Sequence, residues 1–293
     1  MSGVILGAAS GLGFGLFQAV NVRAVRQLDD VYVSTFLQLV VAALVLAVAC
    51  ALSGEFGLLG DASAWALVSF VIAGALHFFL GWTLLNVSQH RIGAGRSAPL
   101  LATVPLWGLA IAAVVYGDLP TADAIAGIVL MVAGALTVSS PAAMAGMRWQ
   151  DSWFALGTAF LWALSPVFTI EGLQEVDSPL FGVTVGVVSS AAGFGLLLLL
   201  WPGSRERARG LPRGGLALKM VAGAIVALAT WGRWAALDHA DIGVVLALNL
   251  LSVPAVLILA PLMAGRQSER VTTRVWIGAA LVVTGSLLLI LIG

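Results

Sequence analysis

The chain has 293 residues, 60% of them hydrophobic and 10% charged, with a mean hydropathy of +1.05. A soluble domain could not cover itself with polar surface from that stock, so most of the chain is expected to sit in a lipid bilayer. Formal net charge is zero without a basic block, which argues against a nucleic-acid partner, and the lone Cys50 excludes an intramolecular disulfide.

A span needs about 20 predominantly apolar residues to cross a hydrocarbon core of about 30 Å. With polar interruptions as boundaries, spans are expected at roughly 3–20, 31–52, 64–85, 97–116, 122–139, 152–170, 179–200, 216–237, 242–263 and 272–292. The first begins without a basic leader or a cleavage pattern behind it and reads as a retained span, and neither terminus is expected to carry a soluble domain. Gly3, Gly7, Gly11 and Gly15 recur along it every four residues, a groove into which another helix can press. Gln18 and Asn21 follow on the same helix, and the third span holds His77 and Trp82. The fourth carries Thr103, Pro105 and Trp107, the fifth Gly127 and Gly134, and the sixth Trp162, Ser165 and Pro166. Only the connection from Trp201 to Gly215 is long enough for a real loop.

The eighth span places Arg233 between Trp231 and Trp234, the ninth carries Asn249, Ser252 and Pro254, and the tenth Gly278 and Gly285. An arginine costs about 2.5–3.5 kcal/mol near the centre of a span, so Arg233 either serves a site or reaches the headgroups. Trp149, Trp153, Trp201 and Trp276 fall near predicted span ends and read as interfacial belt residues.

The chain reads as a duplication. Setting Pro105 against Pro254 aligns Trp82 with Trp231, His90 with His239 and Thr103 with Ser252; the front ends align Phe14 with Trp162 and Asn21 with Thr169. Allowing two further residues pairs Gly127 and Gly134 with Gly278 and Gly285. Five spans per half is an odd number, so the second half is expected upside down. The charges agree. Arg23 and Arg26 of the first connection meet Glu171, Glu175 and Asp177 in the repeat partner, and Arg91 and Arg96 meet Asp238 and Asp241. Glu55 and Asp61 meet Arg205, Arg207, Arg209 and Arg213, with Lys219 just inside the next span, and Asp118 and Asp123 meet Arg266, Arg270 and Arg274. Every basic residue except Arg233 lies in or beside an odd-numbered connection, which places those connections in the cytoplasm and both termini outside.

The five-plus-five arrangement, the stretch WTLLNVSQHRIGAGRSAPLLATVPLWGLAIAAVVYGD at 82–118 and the glycine-paired fifth and tenth spans resemble the drug/metabolite transporter superfamily, EamA type. The resemblance covers essentially the whole chain. It implies an all-α integral membrane protein of ten transmembrane helices in two inverted five-helix repeats, 1–140 and 152–293, joined by a linker at 141–151. The sequence departs from the family pattern at Gly117-Asp118 and Gly265-Arg266, and at Gln38, where an arginine is frequent. The resemblance also implies cytoplasmic termini, opposite to the charge reading.

It further implies a central cavity walled by spans one, three, four, six, eight and nine. On those walls the substrate-binding candidates are Gln18, Asn21, Trp82, Thr103, Trp107, Trp162, Trp231, Arg233, Trp234, Asn249 and Ser252. A cation on such a wall favours an anionic or zwitterionic solute, because guanidinium binds carboxylate bidentately, and the two tryptophans would wall it. His77 is the candidate for proton coupling, with a packing histidine as the alternative. Pro105 and Pro254 are the candidate hinges, with static kinks as the alternative.

The expected function is therefore a secondary transporter in the cell membrane exporting or exchanging small metabolites such as amino acids or related organic solutes by alternating access. No cofactor or metal is expected, and the oligomeric state stays open, a homo-oligomer included. The alternatives are an intramembrane enzyme, against which stands the lack of HExxH and GxSxG patterns, or a non-transporting scaffold or channel. Without a Walker A sequence, ATP-driven pumping by this chain alone is not expected.

Overall fold

In lipid, each backbone N–H and C=O must be satisfied inside the protein, and a chain this apolar meets that demand with helices. A computed structural model describes residues 2–116, 122–138, 148–203, 210–237, 239, 245, 248–265 and 271–291, and no strand occurs among them. In chain order the helices are α1 (Ser2–Leu28), α2 (Val31–Ser53), α3 (Ala64–Ile92), α4 (Ala94–Leu101), α5 (Val104–Tyr116), α6 (Ala122–Val138), α7 (Ser152–Glu175), α8 (Pro179–Leu200), α9 (Arg213–Leu237), α10 (Ser252–Ala264) and α11 (Thr273–Leu291). Among the described residues, six stretches are long and apolar enough to cross a membrane: Gly3–Leu28, Val31–Ser53, Ala64–Ile92, Trp149–Glu175, Pro179–Leu200 and Arg213–Ala236. Ile125–Val138, Ser252–Ala264 and Thr273–Leu288 are shorter apolar helices.

The outer surface is apolar, as lipid contact requires. Leu52, Val114, Leu199, Leu200 and Leu262 project from it, and Trp149, Trp153 and Trp276 are also exposed. Trp201 instead packs on Tyr32, ring centroids 5.1 Å apart.

Close approach between helices is made by glycines. A Cβ on Gly11 would lie 2.3 Å from the Leu248 carbonyl oxygen and one on Gly15 2.5 Å from the Ala255 Cβ, so the glycine stripe of α1 receives the chain at 248–255. A Cβ on Gly74 would lie 2.2 Å from the Gly186 carbonyl oxygen, which locks α3 to α8. In α6 and α11, Gly134 opposes Gly278, and Gly285 opposes Gly127. Beyond these contacts, α1 packs along α9, α7 along α3, α4 and α5, and α2 against both α8 and α9.

The connections gather at two ends. At one, His90 meets Asp29 at 3.0 Å, Arg91 meets Asp151 at 2.6 Å, and Gly214 and Gly215 lie against Gln27 and Leu28. At the other, Ser63 donates to Glu175 and Ser178 donates to Glu55. Asp30, Ser63 and Ser178 also cap α2, α3 and α8 by accepting backbone N–H bonds.

Three departures from the sequence expectation bear on the site. The span expected at 97–116 is two helices, α4 and α5, parted at Ala102 and Thr103, and a matching turn at Leu250 and Leu251 precedes α10. Pro105 and Pro254 lie in the first turn of the helices that resume, where the missing N–H is harmless, and each restricts the residue before it. The Ala102 carbonyl at the break is taken by Ser286 Oγ at 2.8 Å. Third, α3 continues past the expected 85 to Ile92, with a π-helical section at Ala75–Gly81. Gly117, Asp118, Arg205, Arg207, Arg209, Asp238, Asp241, Arg266 and Arg270, with the linker residues 141–147, lie outside the described residues.

Candidate functional site

A cavity of about 70 Å³ opens where α1, α4, α5, α7 and α9 meet the start of α10. Its walls include Phe14 and Gln18 of α1, Pro105 of α5, Trp162 of α7, Arg233 of α9, and Asn249 with Ser252. The arginine therefore faces inward. Gln18 is 3% exposed and its Oε1 is buried without a partner. Asn249 spends an amide hydrogen on the Val245 carbonyl at 2.9 Å, which leaves its oxygen as the side chain's acceptor.

His77 lies on the π-helical section of α3, a backbone irregularity that recurs at functional sites. Its ring stacks on Trp162, with centroids 5.1 Å apart and planes 12° apart, and its Nδ1 meets Ser165 Oγ at 3.1 Å. Trp162 Nε1 donates to the His77 carbonyl at 3.2 Å, a carbonyl near the loosened π turn. A Cβ on Gly81 would come within 2.7 Å of that indole nitrogen, so the glycine makes room for it. His77 Nε2 is buried without a partner. Trp162 thus forms the cavity wall on one side and the histidine's platform on the other.

The other candidates separate. Trp231 is 38% exposed on the lipid side of α9, whereas Trp234 is 4% exposed and packed in the main core, so the two do not together wall the guanidinium. Trp82 is buried against Phe78 in the same core. Trp107 packs edge-on against Phe160, and Thr103 donates to the Leu100 carbonyl at the helix break.

Asn21 belongs to a second polar centre, which sequence reasoning missed. Lys219, fully buried on α9, donates to Asn21, to Gln38 Oε1 at 2.7 Å and to Asn86 Oδ1 at 3.1 Å. Asn21 Nδ2 donates at 2.8 Å to both Asn86 Oδ1 and Gln89 Oε1, and Asn86 Nδ2 donates to Thr35 Oγ1 at 2.9 Å. The signal was present as pairs three residues apart, Gln18 with Asn21, Thr35 with Gln38 and Asn86 with Gln89, each placing two polar groups on one face of an apolar helix. The charge rule already accounts for Lys219 as a topology marker, so the sequence gives no separate sign of its burial.

An all-helical bundle with an apolar exterior is the build of a multi-pass membrane protein. Residues 1–140 match the EamA-like transporter family, which belongs to the drug/metabolite transporter superfamily and whose members are transporters rather than enzymes. A solved structure described as "Crystal structure of protein" superposes with a TM-score of 0.65 at 16% identity, covering 98% of this chain and 95% of its own, a likeness of fold alone. Among curated proteins none matches.

Proposed function

We propose that the chain is a secondary transporter of ten spans in two inverted five-helix repeats, moving a small anionic or zwitterionic organic solute by alternating access, with Arg233 holding its carboxylate. The observation that carries this reading is that Arg233 faces the cavity rather than the membrane surface. The repeat is supported by the cavity wall, where Phe14 and Trp162 occupy equivalent positions, as do Leu101 and Leu250. The packing supports it as well. The contact of α1 with α9 exchanges into that of α7 with α3, and the Gly127–Gly285 pair exchanges into the Gly278–Gly134 pair. Helix breaks just before Pro105 and Pro254 give the two halves matched points of flexure.

Uptake of radiolabelled amino acids and organic acids into proteoliposomes tests the reading, comparing wild type with Arg233→Leu and Arg233→Lys. Arg233→Leu is expected to lower kcat/KM for the transported carboxylate at least tenfold, and Arg233→Lys to recover part of it, since lysine keeps the charge and loses the bidentate fork. Unchanged kinetics in Arg233→Leu would remove this role for the arginine.

A further inference from the structure

The Lys219 centre joins α1, α2, α3 and α9 around one ammonium whose three hydrogens meet three amide oxygens. No aspartate or glutamate occurs among the described buried residues, so the charge has no buried counter-anion there. The ammonium also fixes its neighbours. Because Asn21, Gln38 and Asn86 turn their oxygens to Lys219, the Asn21 amide hydrogens point onward to Asn86 Oδ1 and Gln89 Oε1. Two amide groups are left over: Gln38 Nε2 and Gln89 Nε2 are buried without an acceptor, on residues that are 0% exposed. The centre therefore combines an uncompensated cation with surplus donors, which is the chemistry that receives an anion.

Its place in the fold is next to the cavity along α1. Phe14, Gln18 and Asn21 are spaced i, i+4, i+7 on one face of α1; the first two line the cavity and the third binds Lys219. α1 and α9 run antiparallel, with Ser10 bonded to the Ala229 carbonyl and Gly214 beside Gln27, so Lys219 stands beside Asn21, about one helical turn past Gln18 of the cavity wall. Fourteen residues of helix separate the two, about 21 Å along the axis.

We propose that the Lys219 centre is a second anion-binding site, which takes the carboxylate of the transported solute beyond the cavity, past Gln18. This rests on the reading of the cavity as the transport path. The carboxylate would replace an amide oxygen on Lys219 and accept from Gln38 Nε2 and Gln89 Nε2. The bonds that tie the four helices together would then be exchanged for bonds to the solute, which lets that end of the bundle part without stranding the charge.

The test measures thermal stabilisation of the purified full-length protein by acetate, benzoate and L-leucine, each beside a counterpart without the carboxylate: acetamide, benzamide and isoamylamine. Wild type is compared with Lys219→Met, Gln89→Leu and Arg233→Leu. At least one carboxylate is expected to stabilise wild type more than its counterpart does. Gln89→Leu, which leaves the three acceptors of Lys219 in place, is expected to raise the Kd of the Lys219-centre component at least tenfold, and Lys219→Met to remove that component and leave only the part that Arg233→Leu removes. Should Lys219→Met fail to fold, Gln89→Leu decides. A loss confined to Arg233→Leu would overturn the second site and leave the cavity reading standing, whereas no carboxylate response in wild type would overturn both.

Discussion

Gly11→Ala isolates the contact between the α1 stripe and the chain at 248–249, and its cost can be worked from the geometry. The new Cβ would lie 2.3 Å from the Leu248 carbonyl oxygen and 3.2 Å from the Asn249 Cα. Ordinary van der Waals contact begins near 3.4 Å, so one of the two backbones must retreat by about 1 Å. Neither can yield by rotating a side chain, since the obstacle is main chain. Overpacking of this kind costs about 1–3 kcal/mol, against which the helical preference of alanine over glycine returns about 0.8–1.0 kcal/mol. A net loss of up to about 2 kcal/mol is therefore expected. Gly108→Ala is the control, because a Cβ there meets nothing within 4 Å and only the helical gain remains. Thermal unfolding in detergent is expected to rank Gly108→Ala at or above wild type and Gly11→Ala below it. Because Asn249 lines the cavity, Gly11→Ala should also weaken binding of any ligand held there, seen as a smaller ligand-induced shift. A Gly11→Ala protein as stable as Gly108→Ala would refute the argument that the stripe exists to admit this backbone.

The tryptophans flanking Arg233 should behave oppositely: Trp234→Ala is expected to destabilise by about 3–5 kcal/mol as a core truncation, while Trp231→Leu on the lipid side should leave stability and uptake near wild type. Chemical or thermal unfolding with parallel uptake assays distinguishes them, and equal sensitivity would contradict the assigned orientation of α9. His77→Gln keeps a hydrogen bond to Ser165 and removes the titrating ring, so if the histidine carries a coupled proton the variant's uptake should lose its dependence on external pH between about 5 and 8. Retention of that dependence assigns His77 to packing against Trp162.

How much of this was legible in the sequence depends on which solvent each face meets. In water, the apolar side of a helix marks the core; in lipid, both sides are apolar and periodicity loses its contrast. The existence of the helices followed from composition, and α8 begins and ends where the apolar run does, at Pro179 and Leu200. Small residues kept their meaning, because only a glycine admits a neighbouring backbone, and Gly11, Gly15, Gly134 and Gly278 each receive one. The rotation of α9 about its axis was not legible. Nothing in TWGRW distinguishes a tryptophan bound for lipid from one bound for the core, and the two fell on opposite sides of that division.

Lys219 shows a different limit. A cation at the seventh position of a helix satisfies the charge rule for connections as well as a buried site does, and its own helix contains no residue that decides between them. The decision comes from Asn21, Gln38 and Asn86, which stand 198, 181 and 133 residues away in the sequence. Each of these amides alone is an unremarkable polar residue in a span, cheap enough to insert. Their convergence on one ammonium is what turns four tolerable residues into a centre, because a buried charge is stable only when every hydrogen on it is met. Arg233 was visible from its cost alone; Lys219 became visible only through the groups that offset its cost.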